Sequence, residues 1–349
     1  MNLLLSCVGK RGYIADFFRP HLRPGDKIIG TSRTPWTPGF AACDLGLVLP
    51  PISSDEYLPA VLESCERHEV EGLLSLYDPD VMALSTVVDR LRSAGVLPFL
   101  PAERTARIAH DKWATFRALG AAGFDVPDTT IDLAEALAGL ASGRFRFPLV
   151  VKPRTGSGSA DVFVVRTESQ LRALFGYAPG MLVQTMVEGQ MHDIDALADP
   201  AGRVLHVVAW RKVLSRQGET EQAVTVHDPE LVETGRRLAE AIGLVGPMDV
   251  DLFRTPDGRI VVLELNLRFG GGYPVSHLAG ADFPGLIVQV LRGEEPEPRI
   301  GAYDPDVGLL KELRILGGAV DPFLSRLASG GLTRSGGPSP SDGSGTRPV

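Results

Sequence analysis

The sequence predicts a mixed α/β and α+β chain built in three lobes. Three patterns predict it: apolar strands alternating with amphipathic helices up to about residue 105, a smaller strand and helix unit around a Gly/Ser-rich loop up to about 185, and an acidic strand pair beyond. In the first lobe, residues 2–5, 27–29 and 70–76 read as buried parallel strands. Leu58, Val61, Leu62 and Cys65 recur at helical spacing over 57–68, and Val81, Leu84, Val88 and Leu91 do so later, so these helices should cover the sheet. The turn Cys7-Val8-Gly9-Lys10-Arg11-Gly12 follows the first strand. Its backbone N–H groups could face an anion, or it is a plain strand-to-helix turn, since it lacks one glycine of the dinucleotide fingerprint.

The second lobe, 106–185, reads as a helix over 112–122, strands over 147–152 and 161–165, a helix near 168–175 and a strand over 181–184. The third, 186–328, reads as strands over 193–198 and 204–209, a helix over 230–242, and strands over 248–253 and 260–266. The stretch 329–349 is dominated by Gly, Ser and Pro, cannot bury a core, and is expected to be disordered.

Composition narrows the function. The 349 residues are 44% hydrophobic, ample for a core, yet no window approaches the roughly 20 apolar residues of a membrane helix. The N-terminal apolar run precedes its charges, the reverse of a secretory signal, so a cytoplasmic protein is expected, with no membrane partner. Cys7, Cys43 and Cys65 include no CxxC pair, which argues against a disulfide framework or a thiolate zinc site. A net charge of −8 argues against nucleic acid and leaves small molecules as the expected partners. Oligomeric state stays open, a homodimer among the arrangements.

Three groups of residues carry chemistry. The strands GPMDVDLF and RIVVLELN are joined by Thr255-Pro256-Asp257-Gly258, a favoured hairpin connection. Period-two alternation puts Asp249, Asp251, Glu264 and Asn266 on one side and Val250, Leu252, Val261, Leu263 and Leu265 on the other. Three carboxylates and an amide converging with no lysine between them suit Mg²⁺ or Mn²⁺, although a solvated acidic face is the ordinary alternative. In FPLVVKPRTGSGSADVFVV a strand carries Lys152 into the loop Thr155, Gly156, Ser157, Gly158 and Ser159. Such a loop can wrap phosphates while the lysine supplies a point charge, or it is simply a flexible hairpin loop. Lys112 opens a helix behind Asp111, an N-cap candidate. Further on, Arg203, Arg211, Lys212 and Arg216 occur with no acid between them, and Lys212 and Arg216, four apart on a strand, would share a face for an anionic substrate. Tyr13, His227, Tyr273 and His277 are polar or aromatic residues able to line a pocket or to serve structure.

Taken in order, these features resemble the ATP-grasp superfamily, and most closely its carbamoyl-phosphate-synthetase-like ligases, in which GPMDVDLF and VLELNLRFGGG stand at the metal-binding strand pair. The resemblance implies an N-terminal Rossmann-like preATP-grasp domain over 1–105, a lid lobe over 106–185 and a C-terminal lobe with the metal site over 186–328, the last two gripping ATP. It implies that Lys112, Lys152 and the loop 155–159 bind phosphate, and that Gln184 to Val187 form the hinge reading adenine. It further implies that Asp251, Glu264 and Asn266 hold Mg²⁺ or Mn²⁺, that Arg268 lies near the γ-phosphate, and that Lys212 and Arg216 lie close to phosphate or substrate. Two positions depart from the pattern: no acid stands two residues after Gly189, leaving Gln190 or His192 for the ribose, and Leu267 replaces a proline. The implied activity is ATP-dependent carboxylate–amine ligation through an acyl phosphate, with release of ADP and phosphate, joining an amino acid to an amine or a second amino acid. Phosphoryl transfer to a hydroxyl or bicarbonate, and ATP binding without chemistry, are the alternatives.

Overall fold

The computed structural model describes residues 1–156, 158, 160–216, 218–318, 320–321 and 324–325. The tail expected over 329–349, and the loop residues Ser157 and Ser159, lie outside the described residues. The first sheet is parallel, with β1 (Asn2–Ser6), β2 (Lys27–Ser32), β3 (Leu45–Val48), β4 (Gly72–Ser75) and β5 (Leu97–Pro98) in the order β3-β2-β1-β4-β5. The strand order reverses between β1 and β4, so a crevice opens there at the carboxyl ends of the strands. The later helical stretch of this lobe is interrupted: Asp78–Ser85 and Val88–Ser93 are separate helices, because Thr86 N–H and Val87 N–H bond three residues back, to Ala83 and Leu84. Val81, Leu84, Val88 and Leu91 still face the core.

The small sheet holds β6 (Thr129–Thr130), β7 (Leu149–Pro153), β8 (Phe163–Val165) and β9 (Met181–Thr185) in the order β6-β9-β7-β8. The large antiparallel sheet runs β14 (Ile260–Asn266), β13 (Gly246–Arg254), β10 (Gln190–Ala198), β11 (Val204–Arg216), β12 (Glu219–Thr225) and β16 (Gly308–Leu310), with β15 (Arg299–Ile300) pairing β11. Among the described residues no helix is long and apolar enough to cross a membrane.

Among the described residues, two of the three apolar cores bind the first lobe to the large sheet. One joins Leu4, Val61 and Leu84 to Ile194, Val207 and Val250, and the other joins Leu3 and Phe18 to Trp210, Phe269 and Tyr273. The small sheet has its own core, Ala136, Phe145, Leu149, Val151, Val165, Leu171, Met181 and Val183. The helices Glu103–His110 and Lys112–Ala121 give Ala106 and Leu119 to the first of these cores rather than to the small one. In packing terms the small lobe therefore begins after these helices, later than residue 106.

The acidic hairpin forms as its alternation requires, with one change of phase. Asp249 lies opposite Asn266 and Asp251 opposite Glu264, but the register shifts between Asp251 and Leu252, so Leu252 faces Val262. Such a bulge leaves one residue unpaired and re-aims the strand. Val262 joins Val250, Leu252 and Leu265 in the core, and Leu263, expected there, is half-buried instead.

Candidate active site

The acidic face is wider than the hairpin alone. β10 is antiparallel to β13 with Asp193 opposite Asp251 and Asp195 opposite Asp249, so two rows cross three strands: Asp193–Asp251–Glu264 and Asp195–Asp249–Asn266. Asp193 and Asp195 were not singled out from the sequence, although HDID alternates as DVD does. Their partners come from a distant strand, and no local signal announces that pairing.

Cations cross this face. Lys212, on β11, bridges Asp251 Oδ1 at 2.7 Å and Asp193 Oδ2 at 3.0 Å. Burial opposes the Lys212 charge, but Asp251, Asp193 and Asp249 outweigh it and hold the ammonium above its ordinary range. Arg268 is buried, with its guanidinium 3.0 Å from Asp249 Oδ2 and 3.2 Å from Asp78 Oδ2 of the first lobe. Burial pushes the Asp249 carboxyl up to about 6 and that of Asp195 to about 7. Asp195 Oδ2 accepts from Trp210 Nε1 at 2.8 Å and Ser276 Oγ at 2.6 Å, while Oδ1 of Asp193, Asp195 and Asp249 are enclosed without partners.

The small lobe brings lysine over the same face. Leu149 and Val151 of β7 point into the small core, so alternation turns Lys152 the other way, buried beside the Phe116 ring at 5.5 Å. Burial pushes the Lys152 ammonium down to about 8, with Lys112 adding repulsion and Glu264 and Asp251 opposing both. Lys112 opens its helix behind Asp111, whose Oδ1 accepts from Trp113 N at 3.0 Å. Arg154, just after β7, pairs with Asp111, and Lys112 N donates to Arg154 O at 2.9 Å, so strand end and helix start are tied together. The Lys112 ammonium then sits 3.0 Å from Glu264 Oε1 and donates to Gly156 O at 2.7 Å. A crevice lined by Asp78, His110, Gly156, Glu264 and Asn266 opens at this junction.

The remaining expected residues divide. Thr155, Gly156 and Gly158 belong to the loop beside Lys112, with both glycines at positive φ, 122° and 72°. Gln184 spends its side-chain amide on Thr129 Oγ1 at 3.1 Å, and Val187 lies in the non-ladder link from β9 to β10. His192 alternates with Asp193, so it faces away from the acids, and its Nδ1 is 3.0 Å from Gln190 O. Arg216 is exposed beside Glu221; two register irregularities between Lys212 and Arg216 undo the shared face expected from their spacing. Tyr273 is a core residue whose hydroxyl donates to Ala281 O at 3.0 Å, and His277 stacks on Phe17 at 3.9 Å.

The donor set fits a divalent ion. Asn266 Nδ2 donates to Asp249 Oδ2 and Asp251 Oδ2 at 3.3 Å each, which turns its amide oxygen away from those two carboxylates. Among the described residues no three or more His, Cys, Asp and Glu gather into a cage. Mg²⁺ needs none, since it is commonly held by one or two carboxylates together with substrate phosphates.

A large antiparallel sheet with an acidic face, met by a small sheet that carries a buried lysine over it, defines the ATP-grasp class of fold. A family model described as "ATP-grasp domain" matches residues 109–272, and one described as "PylC-like, N-terminal domain" matches 3–99. A D-alanine–D-alanine ligase of Pseudomonas entomophila is 27% identical over 203 residues, 53% of this chain and 64% of that protein. A 3-methyl-D-ornithine–L-lysine ligase of Methanosarcina mazei is 29% identical over 169 residues, 45% of this chain and 43% of that one. The chain thus spans less than two thirds of either relative. A biotin carboxylase structure from Campylobacter jejuni superposes with a TM-score of 0.71 at 18% identity, covering 88% of this chain and 74% of that one. The ATP-grasp match thus spans residues 109–272, and the fold of the chain is that of ATP-grasp proteins.

Proposed function

We propose that the protein is an ATP-dependent, ADP-forming carboxylate–amine ligase that joins an amino acid to an amine or to a second amino acid. The observation that carries this reading is the convergence of Lys112 and Lys152 on the face of Asp251, Glu264 and Asn266. A carboxylate resists amine attack because its leaving group would be oxide, and phosphorylation replaces that group with phosphate. The protein's task is then to position groups and neutralise charge.

In this reading Lys112, Lys152 and the loop from Thr155 to Gly158 hold the triphosphate, and the backbone near Val187 meets the base. Asp251, Glu264 and Asn266 hold a divalent ion, Mg²⁺ or Mn²⁺, which supplies neutralisation of phosphate charge when bound. Arg268 faces the charge that develops as the carboxylate attacks the γ-phosphorus and ADP leaves. Lys212 acts as a positioning residue, fixing Asp251 and Asp193. The amine then attacks the acyl carbon, phosphate departs and an amide remains. One charge pair at 4 Å is worth about 4 kcal/mol at an effective dielectric of 20, so each of these cations weighs heavily on the rate. The names of the D-alanine and L-lysine ligases among the relatives support amino acids as substrates. The reading places the protein in the cytoplasm, with small-molecule partners.

The test is ADP release across pairs of amino acids with ATP and Mg²⁺, with hydroxylamine added to trap an acyl phosphate as hydroxamate. Amine-dependent ADP release, a hydroxamate and an amide by mass are expected. A phosphorylated product without hydroxamate means a kinase, and ATP binding without substrate-stimulated ADP release means a binding protein; either overturns the ligase reading.

A further inference from the structure

Past Arg268 the chain runs through Gly270, Gly271 and Gly272, and each glycine meets a side chain where a Cβ would project. A Cβ on Gly270 would lie 2.7 Å from Asp249 Oδ1 and 3.1 Å from Asp195 Oδ1, and one on Gly272 would enter the Trp210 ring. At Gly271 the intruding group is the Glu219 carboxylate, 2.7 Å away at Oε1. Glu219 begins β12 and pairs at 2.6 Å with Lys311, just past β16, and Lys311 also donates to Gly271 O. The Lys311 ammonium lies 5.7 Å from the Tyr13 ring, whose hydroxyl is enclosed without a partner.

This pair does little for the fold. The two side chains are 47% and 21% exposed, and an ion pair of that kind contributes about 0–1 kcal/mol. Yet it stands at a junction of first lobe, large sheet and glycine run, with Gly271 within about 11 Å of chain from Arg268. Arg11 fastens that junction by donating to Phe269 O at 2.8 Å and Leu76 O at 3.1 Å. Positive charge on Lys311, Arg11 and Arg268 keeps the Glu219 carboxyl below its ordinary range against its burial, so it is an anion at neutral pH. One fixed anion and one fixed cation, adjacent and partly wet, match the two ends of a zwitterion.

We propose that Glu219 and Lys311 recognise the amine substrate as an α-amino acid, Glu219 taking its ammonium and Lys311 its carboxylate, so that the amine lies on the Arg268 side. The proposal rests on the ligase reading for which substrate this is, but its test does not need turnover. The twenty common L-amino acids and D-alanine are titrated calorimetrically into the full chain with MgADP, and the best binder is compared with its methyl ester and its N-acetyl derivative. Loss of one charged contact should weaken binding about tenfold or more. The wild type should therefore disfavour both derivatives by about that factor. Lys311→Met should abolish the preference of acid over ester alone, and Glu219→Gln the preference of free amine over N-acetyl alone. Exchanging the charges, Glu219→Lys with Lys311→Glu, keeps one charge of each sign at the junction and should lose binding of the free amino acid. Unchanged preferences in the single variants, unchanged affinity in the exchanged one, or no amino acid bound by the wild type would overturn the proposal. A wild type that binds as described but yields neither hydroxamate nor amide refutes the ligase reading and leaves the recognition site standing.

Discussion

Replacing Lys152 by methionine separates what the site does from what the fold needs. The side chain is 8% exposed, and burial lowers its ammonium to about 8 from an ordinary 10.5. That gap is worth about 3 kcal/mol, the cost of keeping the lysine charged in the folded protein at neutral pH. The sign follows from proton counting. Between about pH 8 and 10.5 the unfolded chain holds the Lys152 proton and the folded chain does not, so this residue's contribution to stability rises with pH across that window; below it the full cost is present. Methionine fills similar space without charge. Lys152→Met should thus be more stable than wild type at pH 7 by up to about 3 kcal/mol, with the difference vanishing toward pH 10.5, while ATP affinity falls. Urea unfolding of both proteins at pH 7 and pH 10, paired with ATP titration calorimetry at pH 7, measures all three quantities. A variant less stable than wild type at pH 7, or a difference that does not shrink with pH, refutes the account of Lys152 as a charge held against its surroundings.

Three further outcomes follow from the same geometry. Lys212→Met leaves Asp193 and Asp251 facing each other without their shared cation and should destabilise by about 3–5 kcal/mol, read as a lower urea midpoint; acidification, by protonating Asp193, whose carboxyl burial already raises, should narrow the gap to wild type. Gly272→Ala puts a Cβ 2.1 Å from the Trp210 ring, so thermal unfolding should show a loss of about 1–3 kcal/mol, whereas Gly258→Ala, with open space but φ of 87°, should cost less. Removing divalent ions with a chelator should abolish ATP turnover, and Mn²⁺ should restore it in wild type but only weakly in Asn266→Ala, measured as ADP release.

What could be read from the sequence was whatever a single turn or strand encodes. Asp249, Asp251, Glu264 and Asn266 share a face because alternation and an Asp-Gly turn join them within one hairpin. The cysteines, none in a CxxC pair, are free, two of them buried. Legibility failed where pairing is set by tertiary structure. Asp193 and Asp195 double the acidic face only because β10 lies beside β13, and Glu219 meets Lys311 across 92 residues. The bulge at Asp251 moved Val262 into the place expected for Leu263, and the irregularities of β11 turned Arg216 outward, both by breaking a period that sequence counting takes as unbroken.

The charges themselves explain how such a face is held together. Glu264 is matched by Lys112, Asp251 and Asp193 by Lys212, and Asp249 and Asp78 by Arg268. Among the described residues Lys152 forms no such ion pair, and burial lowers its ammonium, which makes it the lysine with most to gain from a phosphate. A nucleotide with its metal brings both signs at once, so each resident pair can exchange partners without any charge being left buried and alone. The small lobe has a core separate from the two that bind the rest together. Lys152 rides on it and Lys112 is tied to its strand end through Arg154, so a displacement of the lobe would carry one lysine and pull on the other, linking the opening of the crevice to the strength of the cationic grip.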